Sequence, residues 1–136
     1  MKPSVEFVEH PGEVRLRLQA ATLGELAAVA GGALAELELG YAPGPAAGPW
    51  REVVVSGLDR DAVLVHWLNE LIFLAETERW VGVEFAVSRA TETELRMRVR
   101  GMAVDEAPAR VKAATFHGLR IAAVSDGVEA DVVLDV

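Results

Sequence analysis

The 136-residue chain contains no cysteine, which excludes disulfides, thiolate metal sites, iron–sulfur clusters and cysteine nucleophiles at once. Aromatic residues make up only 6%, so the core must be built mainly from small aliphatic side chains. Lysine is almost missing: Lys2 and Lys112 stand against eleven arginines. No apolar run approaches the ~20 residues that a membrane-spanning helix needs, the longest within a helical pattern being Leu26–Ala35. The N-terminal MKPSVEFVEH has no apolar signal-peptide core. A soluble cytoplasmic protein with no membrane partner is expected. Catalytic signatures are also missing. There is no Walker-type phosphate loop, glycine-rich dinucleotide fingerprint, GxSxG elbow or HExxH zinc motif.

What is present is acid. With 21 acidic and 13 basic side chains the net charge is −8, which argues against direct, non-specific nucleic-acid binding. The apolar content is that of a folded chain, and the length suits one domain over residues 1–136. Val5–Glu9 reads as a short strand ended by Pro11-Gly12, and Glu13–Ala20 alternates with period two, as a half-buried strand does. Thr22 and Glu25 have capping-box spacing and open a helix to about Leu39. Gly31-Gly32 in its middle implies close packing on a neighbour. Arg51–Ser56 is a strand, and Asp59 caps a second helix to about Thr77. Period two returns from Trp80 at Val81, Val83, Phe85 and Val87 and again at Leu95, Met97 and Val99 after a Thr91–Glu94 turn, and Val111–Thr115, Leu119–Val124 and Val128–Val136 complete a late run of strands. This order predicts an α+β fold: a single compact two-layer domain with a mostly antiparallel sheet packed against two main helices.

Five clusters carry chemistry. Glu9-His10-Pro11-Gly12-Glu13 is a polar knot at a strand break, either an ordinary turn or a device that aims Glu13 at a ligand. On the last strand Glu129, Asp131, Val133 and Asp135 share one face. Asp135 is followed only by Val136, so its carboxylate lies close to the terminal one, either frayed in water or held together by a hard cation. Lys112 follows Arg110 and precedes Thr115-Phe116-His117-Gly118; a lysine kept where arginine is favoured suits a point-charge role. Arg96, Arg98 and Arg100, with Arg89 nearby in sequence, form the one basic stripe, a solvated face or a site for an acidic or RNA partner. His66 and Glu70 form an i,i+4 pair.

The order of these pieces resembles the archease family along nearly the whole chain. It is carried by EHPGEVRLRLQAATLGELA, LVHWLNELIFLAETE, VKAATFHGL and the terminal DVVLDV. The resemblance implies a compact α+β fold and a non-catalytic activator of an RtcB-type RNA ligase, acting in tRNA splicing and RNA repair. Such an activator promotes guanylylation of the ligase from GTP and its multiple turnover, and meets RNA and GTP through the ligase. It further implies a divalent-metal site for Ca, Mg or Mn. The family's Glu-His-Thr-Ala-Asp motif reads here Glu9-His10-Pro11-Gly12-Glu13, so Glu13 takes the aspartate's place with an arm one methylene longer. Asp135 and Val136 match the terminal pair, Val136 through its backbone oxygen. Lys112 matches a functional lysine, and with His10 and His117 it is expected to contact the partner or nucleotide. Two other readings stay open. One is a free-standing divalent-metal-dependent hydrolase with His10 or His117 as base, and the other a metal-independent, chaperone-like protein-binding module.

Overall fold

A computed structural model describes residues Met1–Val136. The chain runs β1 (Ser4–His10), β2 (Glu13–Ala20), α1 (Leu23–Leu39), β3 (Arg51–Ser56), α2 (Arg60–Glu78), β4 (Trp80–Ala90), β5 (Glu94–Ala103), β6 (Ala113–Val124) and β7 (Gly127–Asp135). The α+β class is as expected, but the strands divide between two antiparallel sheets, ordered β1-β2-β7-β6 and β3-β5-β4. Both helices touch both sheets, α1 through β2 and β4 and α2 through β6, β3 and β4. Each sheet therefore buries one face against helices and leaves the other open.

Local chemistry explains the boundaries. Thr22 accepts from the Glu25 N–H at 3.2 Å and Asp59 from the Ala62 N–H at 2.8 Å, so both helices start at the expected caps. Gly40, at φ 83°, ends α1 in the left-handed conformation. Alternation on β2 buries Val14, Leu16, Leu18 and Ala20, and β7 contributes Val132 and Leu134 to the same core. Trp67 of α2 is fully buried, donates its indole N–H to the Ala27 carbonyl of α1 at 2.8 Å and meets Phe85 of β4 edge-on. The double glycine resolves unequally. A Cβ at Gly31 would lie 2.8 Å from the Phe85 ring, whereas Gly32 faces open space. Close packing thus explains the first and not the second.

The region expected to hold two short strands, Val111–Thr115 and Leu119–Val124, is one strand, β6, whose register with β7 jumps between Thr115 and Arg120. The pairing resumes on the same partner, so the intervening residues form a bulge rather than a turn. The free edge of β6 is closed by α2. The Asn69 carboxamide accepts from the Ala114 N–H at 2.8 Å and donates to the Ala114 carbonyl at 3.1 Å, standing in for one residue of a further strand. Arg60 donates to the Ile121 carbonyl at 2.8 Å. No helix is long and apolar enough to cross a membrane.

Replacing Asn69 with Ala leaves two part-buried backbone groups without partners and should cost about 1–3 kcal/mol in urea unfolding. Glu38, near the end of α1, is pushed by burial from 4.5 to about 8. Between those values the native state holds a proton that the unfolded chain has released. The Glu38 contribution to stability is therefore fully present below pH 4.5 and is lost as pH rises towards about 8, by at most about 1.4 kcal/mol per unit. Glu38→Gln should flatten that profile and be the more stable protein at alkaline pH.

Candidate functional site

The β1–β2 turn, the end of β7 and the segment entering β6 meet at one end of the four-stranded sheet. Pro11 and Gly12 form a two-residue turn, with Gly12 at φ 81° and His10 paired to Glu13 across it. Pro11 presets the first turn position and glycine supplies the positive φ of the second, as a tight Pro-Gly turn requires. Glu13 then begins β2 directly opposite Asp135. Residues 122 positions apart in the chain thus become cross-strand neighbours, whose Cβ atoms lie about 4.5–5.5 Å apart in such pairs. Two backbone bonds lock the junction: Val136 N–H donates to the Gly12 carbonyl at 3.0 Å, and Lys112 N–H to the Asp135 carbonyl at 2.8 Å.

Further along the same outer face two acids are matched to arginines, while Glu6 on β1 has no cation within 4.0 Å. Asp131 lies 3.7 Å from Arg17 and 3.8 Å from Arg120, and Glu129 lies 2.9 Å from Arg120. The hydrogen bond to Glu129, then its charge, raises the Arg120 pKa above its ordinary value. Glu9, on the opposite, helix-facing side of β1, pairs with Arg110. Glu13 and Asp135 have no such cation within 4.0 Å; they lie opposite each other, with His10 on the other side of Glu13 and Ala113 on the other side of Asp135.

Both helices end near this corner. Glu36, Leu37 and Gly40 of the α1 terminus line a groove with Glu9 and Arg110, and Glu76 of α2 lines another with Lys112. Neither helix has a basic residue in its last turn. Arg110 and Lys112 of the β5–β6 segment thus stand at the C-terminal ends of α1 and α2, where a cation is favourable. The donor set of the carboxylate pair is oxygen only, the chemistry of a hard divalent cation. Its size is limited: no group of three or more His, Asp or Glu side chains is placed to hold a metal ion.

The other candidates distribute as follows. His10 is exposed beside the turn, paired to Glu13, and Lys112 is exposed immediately before β6. His117 is exposed on the β6 bulge, whose Gly118 approaches Arg15 and Val133 on the outer face. His66 is bound elsewhere, its Nδ1 2.7 Å from the Ser56 carbonyl, which assigns that ring nitrogen the proton. The basic stripe lies on the other sheet. Arg96 is 3.2 Å from Glu94 and 3.7 Å from Glu52, and Arg89 is 3.4 Å from Glu94. Arg98 and Arg100 stack on Trp50 at 5.0 and 5.1 Å. No local spacing marks Trp50 as the partner of Arg98 and Arg100, or Asn69 as the partner of Ala114, because each contact crosses the fold.

Opposed like charges on neighbouring strands are destabilising. In the presence of a chelator, Asp135→Asn should therefore raise stability by roughly 0.2–1 kcal/mol in urea unfolding, with no change in far-UV circular dichroism.

Comparison with known proteins agrees with this architecture. The Archease protein family matches residues 5–136. The chain is 28% identical to a Methanosarcina acetivorans protein named archease, covering 96% of this chain and 94% of the relative. It is 29% identical to an Archaeoglobus fulgidus archease, covering 96% and 97%. The solution structure of Methanobacterium thermoautotrophicum protein 1598 is similar with a TM-score of 0.77 at 26% identity, covering 97% of this chain and 98% of that one. The crystal structure of a Thermotoga maritima archease, described as a possible chaperone, shares the fold with a TM-score of 0.63 at 17% identity, covering 95% and 94%. With its family match running from the first strand to the last residue, this chain belongs to the archease family.

Proposed function

We propose that the chain is a non-catalytic activator of an RtcB-type RNA ligase, acting in the cytoplasm in tRNA splicing and RNA repair. The observation that carries the reading is the Glu13–Asp135 pair: two carboxylates directly opposite each other across β2 and β7, neither with a cation within 4.0 Å, on a face where Asp131 and Glu129 are matched to arginines. Glu13 and Asp135 would hold a divalent cation, Ca, Mg or Mn, with the backbone of Val136 contributing an oxygen. Once bound, that cation supplies a positive centre for phosphate oxygens at the ligase's nucleotide site. The remaining work belongs to the chain itself. The ladder between β2 and β7 holds both carboxylates on one rigid face, and the bond from Lys112 N–H to Asp135 anchors the lysine beside them. Lys112, His10 and His117 are exposed, His10 directly opposite Glu13 and Lys112 bonded through its backbone to Asp135, and are suited to contact the ligase or its nucleotide. With a net charge of −8, RNA and GTP are met through the ligase.

The description of the Thermotoga relative as a possible chaperone favours one second reading, a protein-binding module that needs no metal. Chelation separates the two. Under the activator reading, substoichiometric protein stimulates multiple-turnover ligation in the presence of GTP and a divalent ion. Asp135→Ala then abolishes the stimulation while the thermal transition is retained. Full stimulation by Asp135→Ala, or in excess chelator with the ligase's own metal supplied by preloading, would overturn the assignment of the site.

A further inference from the structure

Arginine on the outer face of the four-stranded sheet occurs in two situations. Arg17 lies opposite Asp131, and Arg120 reaches Glu129 and Asp131. Arg15, one step along β2 from Glu13 on the same face, lies opposite Val8 on one side and Val133 on the other. Neither valine offers a side-chain acceptor, and no carboxylate lies within 4.0 Å of it. Its Nε is buried without a hydrogen-bond partner, the one side-chain polar atom of the molecule in that condition. The β6 bulge roofs it. Gly118 takes φ 67°, and a Cβ there would stand 3.6 Å from Arg15 Nη2 and 3.7 Å from Val133 Cγ2. The guanidinium is thus half-buried, held under a bulge and left without an anion, next to two carboxylates left without a cation.

We propose that Arg15, under the Gly118 bulge, binds the phosphate group of a small ligand that also engages a divalent cation held by Glu13 and Asp135. This rests on the cation reading given above and names the ligand chemistry of that site. The planar guanidinium fork matches the oxygens of phosphate. Next to Glu13 and Asp135 an approaching anion is repelled unless it can share a cation with them. A phosphate has oxygens enough to meet the guanidinium and the cation together. A pair of carboxylates with no third side-chain ligand is also the donor set that Mg²⁺ takes when phosphate completes its shell.

The experiment is equilibrium dialysis of inorganic phosphate against the full chain with and without Mg²⁺, beside a separate Mn²⁺ titration followed by electron paramagnetic resonance. Wild type, Arg15→Gln, Arg15→Lys and Asp135→Asn are compared, each first shown to melt cooperatively. The expected result is phosphate binding that requires Mg²⁺, weakens by roughly tenfold or more in Arg15→Gln, is partly kept by the charge of Arg15→Lys, and is lost with Mn²⁺ binding in Asp135→Asn. Mn²⁺ binding should persist in both Arg15 variants, which a merely structural arginine would not separate from phosphate binding. Equal phosphate binding by wild type and both Arg15 variants overturns the proposal. Bound Mn²⁺ without phosphate binding up to about 10 mM, far weaker than a functional site needs, overturns it and leaves the cation reading standing. Absence of Mn²⁺ binding to wild type overturns both.

Discussion

The ladder between β2 and β7 is the interaction on which everything else depends. It joins the beginning of the chain to its end, forms the centre of the four-stranded sheet and sends Val14, Leu16 and Leu18 into the core together with Val132 and Leu134. Side chains alternate strictly between faces, so a slip of one residue would expose those aliphatics and bury Arg15, Arg17 and Asp131. The register that satisfies the core is the one that sets Glu13 opposite Asp135. The position of the candidate site is therefore a by-product of apolar burial, which explains how a rigid scaffold can hold two like charges side by side.

Charge matching across that face gives the pair its meaning. Acidic residues are abundant, and by number alone none is informative. What distinguishes Glu13 and Asp135 is that they oppose each other with no arginine between them, whereas Glu129 and Asp131 each have one and the exposed Glu6 lies opposite Arg17. Exposed ion pairs contribute little stability individually, so the arginines matter here less as braces than as local neutralisers. They leave Glu13 and Asp135 as an opposed pair of unneutralised carboxylates.

Secondary structure was largely legible because its signals are local. The period-two pattern of β2, the capping residues Thr22 and Asp59 and the Pro11-Gly12 break all correspond to observed elements or boundaries. In the sequence the β6 bulge looks like a break between strands, because an insertion in one strand and a turn between two are alike until the partner is known. His66 followed the same logic. Its spacing to Glu70 is a helical one, but the Ser56 carbonyl, ten residues back, holds its ring. Asn69 drew notice only as a letter in a motif, and its role as a surrogate strand residue exists only where α2 meets the edge of β6.

By itself the sequence determined the α+β class, the helix starts, the faces of each strand and the family resemblance, since all of these rest on patterns within a few residues or on the order of segments. Tertiary structure decided the division into two sheets, the pairing of Glu13 with Asp135, which acids are neutralised and which arginine is not. Those depend on long-range register and on distances across the fold, and no local pattern encodes a neighbour that lies 122 positions away.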